Sequence, residues 1–169
     1  MSQELNDFFT LFGLKPIFLQ NSSDIKKNYL KLQQKIHPDN FIDATPAEKR
    51  LSIEYAAKIN EAYRTLSDPI KRAIVLLSRY GVDVQEETDT SMPMEFLIEQ
   101  MALRERLAEV STSNDPIGET QALKNTVDTA LKDCEQKLTD YLDGSTLNLS
   151  AAKDCVRKML FYKRMNEEL

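Results

Sequence analysis

The tightest constraint on this chain is a pair of helical patterns separated by a proline break. Ile25, Tyr29, Leu32 and Ile36 recur at spacings of four, three and four, the repeat that lines one face of an α-helix. Pro38 ends the run, because a residue preceding proline is pushed out of the helical region. A second helix is marked by Thr45, Pro46 and Glu48: a capping residue, a proline suited to the first turn, and an acid three places after the cap. Leu51, Tyr55, Ile59, Ala62 and Leu66 are expected to form its buried side. A connection this short makes the two helices antiparallel neighbours.

The same punctuation extends the pattern in both directions. A first helix is predicted over about 5–12, carrying Phe8, Phe9, Leu11 and Phe12, with Gly13 as its stop. The helix that ends at His37-Pro38 is predicted to start near Ser22 or Ser23, either of which can cap it. Asp68-Pro69 closes the long helix and opens a shorter one through Ile70, Ala73, Ile74 and Leu77, which Gly81 ends. Residues 82–92 read as a linker, since Glu86, Glu87 and Asp89 are poor core formers. Three more helices follow at about 93–111, 117–142 and 150–168, and amphipathic helices with short connections imply a bundle. With only 4 glycines and 6 prolines, a turn-rich β fold is not expected. The expected architecture is all-α: a helical hairpin with flanking helices over 1–81, the linker, and a three-helix bundle over 93–169.

Charge divides along the same line. Residues 1–81 carry a net charge of +3, and the remainder carries -8. Two regions of opposite sign are suited to different partners, and the acidic one would repel nucleic-acid phosphate. No stretch approaches the length of a membrane span. The start has no basic segment followed by an apolar run, so a cytoplasmic protein is expected. Cys134 and Cys155 lack the close spacing of a zinc or redox motif and read as reduced core thiols.

His37-Pro38-Asp39 stands between the two antiparallel helices. Neither a nucleophile nor further metal ligands accompany His37, so the residues do not describe a catalytic or metal site. The preceding helix places Lys27, Lys31 and Lys35 opposite its apolar stripe, with no acid among the residues from Ile25 to Ile36. A basic face beside an exposed turn is suited to orienting an acidic protein partner.

Tyr29-Leu30-Lys31-Leu32, His37-Pro38-Asp39, the segment from Ala57 through Asn60-Glu61-Ala62-Tyr63 to Asp68-Pro69, and Lys71-Arg72 together resemble the J-domain family of co-chaperones. The resemblance covers roughly 5–77. It implies binding of a DnaK-like chaperone ATPase and stimulation of its ATP hydrolysis. On this chain it assigns triggering to His37, Pro38 and Asp39, and docking to Lys27, Lys31 and Lys35. Asn40 departs from the lysine common after this motif, which implies somewhat weaker docking.

The first helix of the second region has two apolar faces. Phe96, Leu103, Leu107 and Val110 share one side and are predicted to be core. Met94, Leu97, Ile98, Met101 and Ala108 lie elsewhere, with Glu105 among them. In a three-helix bundle this second patch needs another partner, either the N-terminal region or a separate protein. The middle helix has a single stripe of Leu123, Val127, Ala130, Leu131, Cys134, Leu138 and Tyr141. On the last helix Ala152, Val156, Met159 and Leu160 mark the core, and Phe161 points about 140° away from Val156. Phe161 is therefore expected at the surface, as a candidate hot spot beside Leu97.

The run from Met94 to Glu105 is similar to the C-terminal domain of the HscB family, the J-type co-chaperones of bacterial iron–sulfur cluster assembly. Leu11-Phe12-Gly13-Leu14, Arg72-Ala73-Ile74-Val75-Leu76-Leu77 and Val156-Arg157-Lys158-Met159-Leu160-Phe161 extend the similarity over nearly the whole chain. It implies an L-shaped, two-domain adaptor that delivers the scaffold protein IscU to the specialised chaperone HscA. Its scaffold-binding face maps onto Leu97, Ile98, Met101, Glu105 and Phe161. Ala102 stands where an acid is common, which implies one missing polar contact. No N-terminal cysteine pair is present, and no metal or cofactor is implied. A general J-domain co-chaperone that presents unfolded clients through the same patch is the alternative. No glycine-rich phosphate loop suggests an enzyme instead.

Overall fold

A computed structural model describes residues 7–84 and 92–169. The beginning of the predicted first helix and most of the predicted linker lie outside the described residues. Every regular element among the described residues is helical: α1 (Phe8–Phe12), α2 (Ser22–Lys35), a 3₁₀ turn (Pro38–Phe41), α3 (Pro46–Ser67), α4 (Pro69–Arg79), α5 (Met94–Val110), α6 (Pro116–Asp143) and α7 (Leu149–Glu168). The chain forms two compact units, 1–76 and 77–169, with the division inside α4. No helix among the described residues is long and apolar enough to cross a membrane.

In the first unit, local chemistry sets the helix ends. Asp7 caps α1 by accepting the Phe9 N–H, and Gly13 ends it at φ 63°, a left-handed conformation that suits glycine. The cap of α2 is Asn21, which accepts the Ser23 N–H, so Ser22 is the first helical residue and not the cap. At α3 both halves of the capping box form, between Thr45 and Glu48. The Thr45 backbone N–H, and then its hydroxyl, donate to the Glu48 carboxylate and hold its pKa below the usual value. Asp68 starts α4 by accepting the N–H groups of Ile70 and Lys71, at 2.9 and 3.2 Å.

Phe9, Phe12, Phe18, Ile25, Ile59, Ala62, Leu66, Ile70, Ala73 and Leu76 are buried in this unit. Each large apolar side chain so placed contributes roughly 1.5–3 kcal/mol. Arg72 is buried with them, and its Nε–H donates to the Phe18 carbonyl at 2.8 Å while an Nη–H donates to the Leu66 carbonyl at 2.5 Å. Its guanidinium also sits 5.1 Å from the Phe18 ring centre. Those contacts replace the hydration that a buried cation loses.

Leu51 corrects the sequence reading. It is 64% exposed, although Tyr55 is half-buried and Ile59, Ala62 and Leu66 are fully enclosed. α2 ends at Lys35, and the turn that follows packs beside Lys49, Ser52, Ile53 and Ala56. Leu51 points away from that side of α3.

In the second unit, α6 and α7 pack along their length and α5 lies against them. Phe96 and Leu103 from α5, Leu123, Val127, Cys134, Leu138 and Leu142 from α6, and seven residues of α7 form the core. Asp115 and Asn148 cap α6 and α7 by accepting the N–H groups of Gly118 and Ala151.

Candidate functional site

The turn after α2 is built by its own sequence. His37 is extended at φ -56°, ψ 137°, as its position before Pro38 requires. Pro38 then opens the 3₁₀ turn. His37 Nδ1 accepts the Asp39 backbone N–H at 3.3 Å and lies 3.4 Å from Asp39 Oδ2. Nδ1 serves one contact at a time: in the state without a proton there it accepts the Asp39 backbone N–H, and in the state with one it donates to the Asp39 carboxylate. Both side chains are exposed, so either state leaves the turn open to a partner.

Asn40 ties this turn to the helix before it. Its side-chain amide donates to the carbonyls of Gln34 and Lys35, at 2.8 and 3.2 Å. These are among the last carbonyls of α2, which lack helical partners. The residue that departs from the expected lysine therefore acts as a clamp.

Behind the turn, Tyr29 and Gln33 both donate to Asn60 Oδ1 at 2.9 Å, and the Tyr29 and Tyr63 rings stack with centres 4.2 Å apart. These contacts join α2 to α3. They leave Lys27, Lys31 and Lys35 exposed on the outer side of α2. The six residues expected to recruit a chaperone thus share one end and one face of the hairpin.

The two sides of α5 differ in exposure, with Leu107 and Val110 half-buried. Phe96 and Leu103 are enclosed, while Leu97, Ile98 and Met101 are 37%, 61% and 64% exposed, with Met94 and Glu105 also at the surface. Ala102 is exposed as well.

Phe161 does not belong to that surface. It is only 4% exposed. Its ring meets Phe96 edge-on at 5.7 Å and Tyr162 at 5.7 Å, and the Arg104 guanidinium lies 5.6 Å from its centre. The reason is that α7 packs against both α5 and α6, so its buried arc is wider than a single stripe. Beside it the Tyr162 hydroxyl donates to Glu99 Oε1 at 2.7 Å. Burial first, and then that bond to a carboxylate, push the Tyr162 pKa well up, so the phenol stays a donor.

The two cysteines, remote in sequence, come together in space. Cys134 on α6 and Cys155 on α7 are both buried, and both line the same cavity. Their shared position could be read only from two apolar stripes on helices that a short connection makes antiparallel. Among the described residues no group of three or more His, Cys, Asp and Glu side chains is placed to hold a metal ion.

Comparison with known proteins agrees with this architecture. Residues 7–75 match the DnaJ domain, and residues 92–169 match the HSCB C-terminal oligomerisation domain. The chain is 37% identical to a co-chaperone protein HscB homolog of Shewanella amazonensis, over 96% of this chain and 94% of that one. It is 34% identical to the homolog of Shewanella loihica, over 96% and 95%. Among solved structures, chaperone HscB from Vibrio cholerae superposes with a TM-score of 0.82 at 34% identity, covering 96% of this chain and 94% of that one. The human co-chaperone protein HscB superposes at 0.86 with 27% identity, covering 96% and 79%. With an exposed His-Pro-Asp turn on an N-terminal helical hairpin and a C-terminal helix bundle, the chain belongs to the HscB family of J-domain co-chaperones.

Proposed function

We propose that the chain recruits a DnaK-like chaperone ATPase of the HscA type and brings to it the iron–sulfur scaffold protein IscU. Its division of labour would follow 1–81 for the chaperone, 93–169 for the scaffold and 82–92 as connector, in the cytoplasm. The observation that carries the reading is the pairing of an exposed, clamped His37-Pro38-Asp39 turn with the lysine face of α2. Open donors and acceptors on a hydrogen-bonded turn suit a protein contact, and three cations along one helix favour an acidic partner and speed encounter.

The scaffold would bind the outer face of α5 through Leu97, Ile98 and Met101, with Glu105 at the rim. Apolar residues ringed by charge are the usual make-up of an energetic interface centre. Phe161 serves this face from beneath, by holding Phe96 and therefore α5 in place.

His37→Gln tests the chaperone half. Single-turnover ATP hydrolysis by HscA should fall to its unstimulated rate while the melting curve of the variant stays put. Retained stimulation would remove His37 from the trigger. Calorimetric titration with folded IscU tests the scaffold half. Binding of unfolded polypeptide in preference to folded IscU would favour a general co-chaperone.

A further inference from the structure

We propose that Cys134 and Cys155 form a reversible redox-modification site, with Cys155 the attacking thiol, Cys134 the resolving thiol, and a disulfide between α6 and α7 the product. This is independent of the partner assignments above. The two thiols are buried on different helices that pack on each other, and both line a cavity of ≈ 220 Å³. A water molecule occupies roughly 30 Å³ in the liquid, so the cavity has room for an oxidant of peroxide size. Lys137 and Lys158 line the same space, as do Tyr162, Glu99 and Asp133.

The surroundings make the two thiols unequal. The Cys134 S–H donates to Cys155 and, with help from Lys158 and Lys137, outweighs burial and the nearby Asp154 carboxylate, so the Cys155 pKa is lowered. The same hydrogen bond, together with burial, pushes Cys134 up. One sulfur is thus disposed to be the thiolate and the other to remain a thiol, and the thiolate is the nucleophile.

The chemistry balances with a hydroperoxide as oxidant. The Cys155 thiolate attacks one peroxide oxygen, forming an S–O bond and breaking O–O. The departing hydroxide takes up the proton that Cys155 had released and leaves as water. The Cys134 sulfur then attacks the sulfenic sulfur, forming S–S and breaking S–O, and its proton leaves with the hydroxide as a second water. Two thiols lose two electrons in all, and one hydrogen peroxide becomes two waters. Closing the bond needs the sulfurs to approach to about 2.05 Å, and side-chain rotation beside a cavity supplies that movement. A dithiol reductant restores both thiols by exchange.

The full-length reduced protein, treated with hydrogen peroxide and then alkylated under denaturing conditions, provides the test. Intact mass should show an unalkylated monomer lighter by two hydrogens, peptide mapping should join Cys134 to Cys155, and dithiothreitol should reverse both. In Cys134→Ser, dimedone should trap a sulfenic acid on Cys155. In Cys155→Ser, labelling of Cys134 should be clearly weaker than that of Cys155 in the first variant. Two thiols still alkylated in the parent protein, or disulfides only between copies, would overturn the proposal. Equal dimedone labelling in the two variants would overturn the order of attack. The parent measurement stands even if a variant loses its helical signal.

Discussion

Replacing Phe161 by alanine removes a ring enclosed by Phe96, Tyr162 and Arg104. Truncating a buried phenylalanine costs about 3–5 kcal/mol, from lost transfer energy plus the cavity left behind. Domains of this size are stable by only about 5–15 kcal/mol, so the loss is a large share of the total. For a unit of 60–100 residues it corresponds to a drop in Tm of at least ~12 °C. Ile98 and Met101 are 61% and 64% exposed, and surface truncations commonly stay within about 0.5 kcal/mol each. The two kinds of variant therefore separate stability from binding. Phe161→Ala should melt early. Ile98→Ala with Met101→Ala should melt like the parent yet bind the scaffold at least ~30-fold more weakly, the equivalent of ~2 kcal/mol. Circular dichroism melts paired with calorimetric titration against folded IscU measure both. A Phe161→Ala protein that melts like the parent would refute the enclosed position of the ring. An Ile98–Met101 double variant with parental affinity would refute the assignment of the α5 face.

Two further outcomes concern the other end of the chain. Lys27→Ala with Lys31→Ala should raise the co-chaperone concentration needed for half-maximal ATPase stimulation, and added salt should shift the parent the same way; an unchanged saturation curve would make these lysines a solvated face. Asn40→Ala should remove two hydrogen bonds to the end of α2, lowering stability by up to ~1 kcal/mol, while maximal stimulation falls because the turn is no longer held; unchanged stimulation in a steady-state ATPase assay would show that the clamp has no part in triggering.

Local signals were legible in this sequence wherever the structure depends on residues a few places apart. The Thr45–Glu48 capping box and the Gly13 stop need nothing beyond their own turn, and both form as read. The His37-Pro38-Asp39 turn was legible for the same reason, since Pro38 dictates the conformation on either side of it. What the chain does not display is how its helices share neighbours. Leu51 matches the period of α3 yet stays exposed, because it points away from the side of α3 that the turn after α2 lies beside. Cys134 and Cys155 carry no motif, and only the packing of α6 on α7 brings their sulfurs together. Asn40 looked like a lost lysine because the value of its amide depends on where the Gln34 and Lys35 carbonyls point.

Phe161 shows the underlying physics most clearly. A helical wheel assigns one buried stripe to a helix and treats a residue about 140° from its centre as surface. That assumption suits a helix with one neighbour. α7 has two, and its buried residues run from Ala152 through Cys155, Val156 and Met159 to Phe161, Tyr162 and Met165. With α6 covering one side and the Phe96 ring of α5 meeting the other, the arc widens until Phe161 falls inside it. The same ring then supports α5 from within while Ile98 and Met101 face outward. The exposed face of α5 is thus held in position by an aromatic cluster on the opposite side of the same helix.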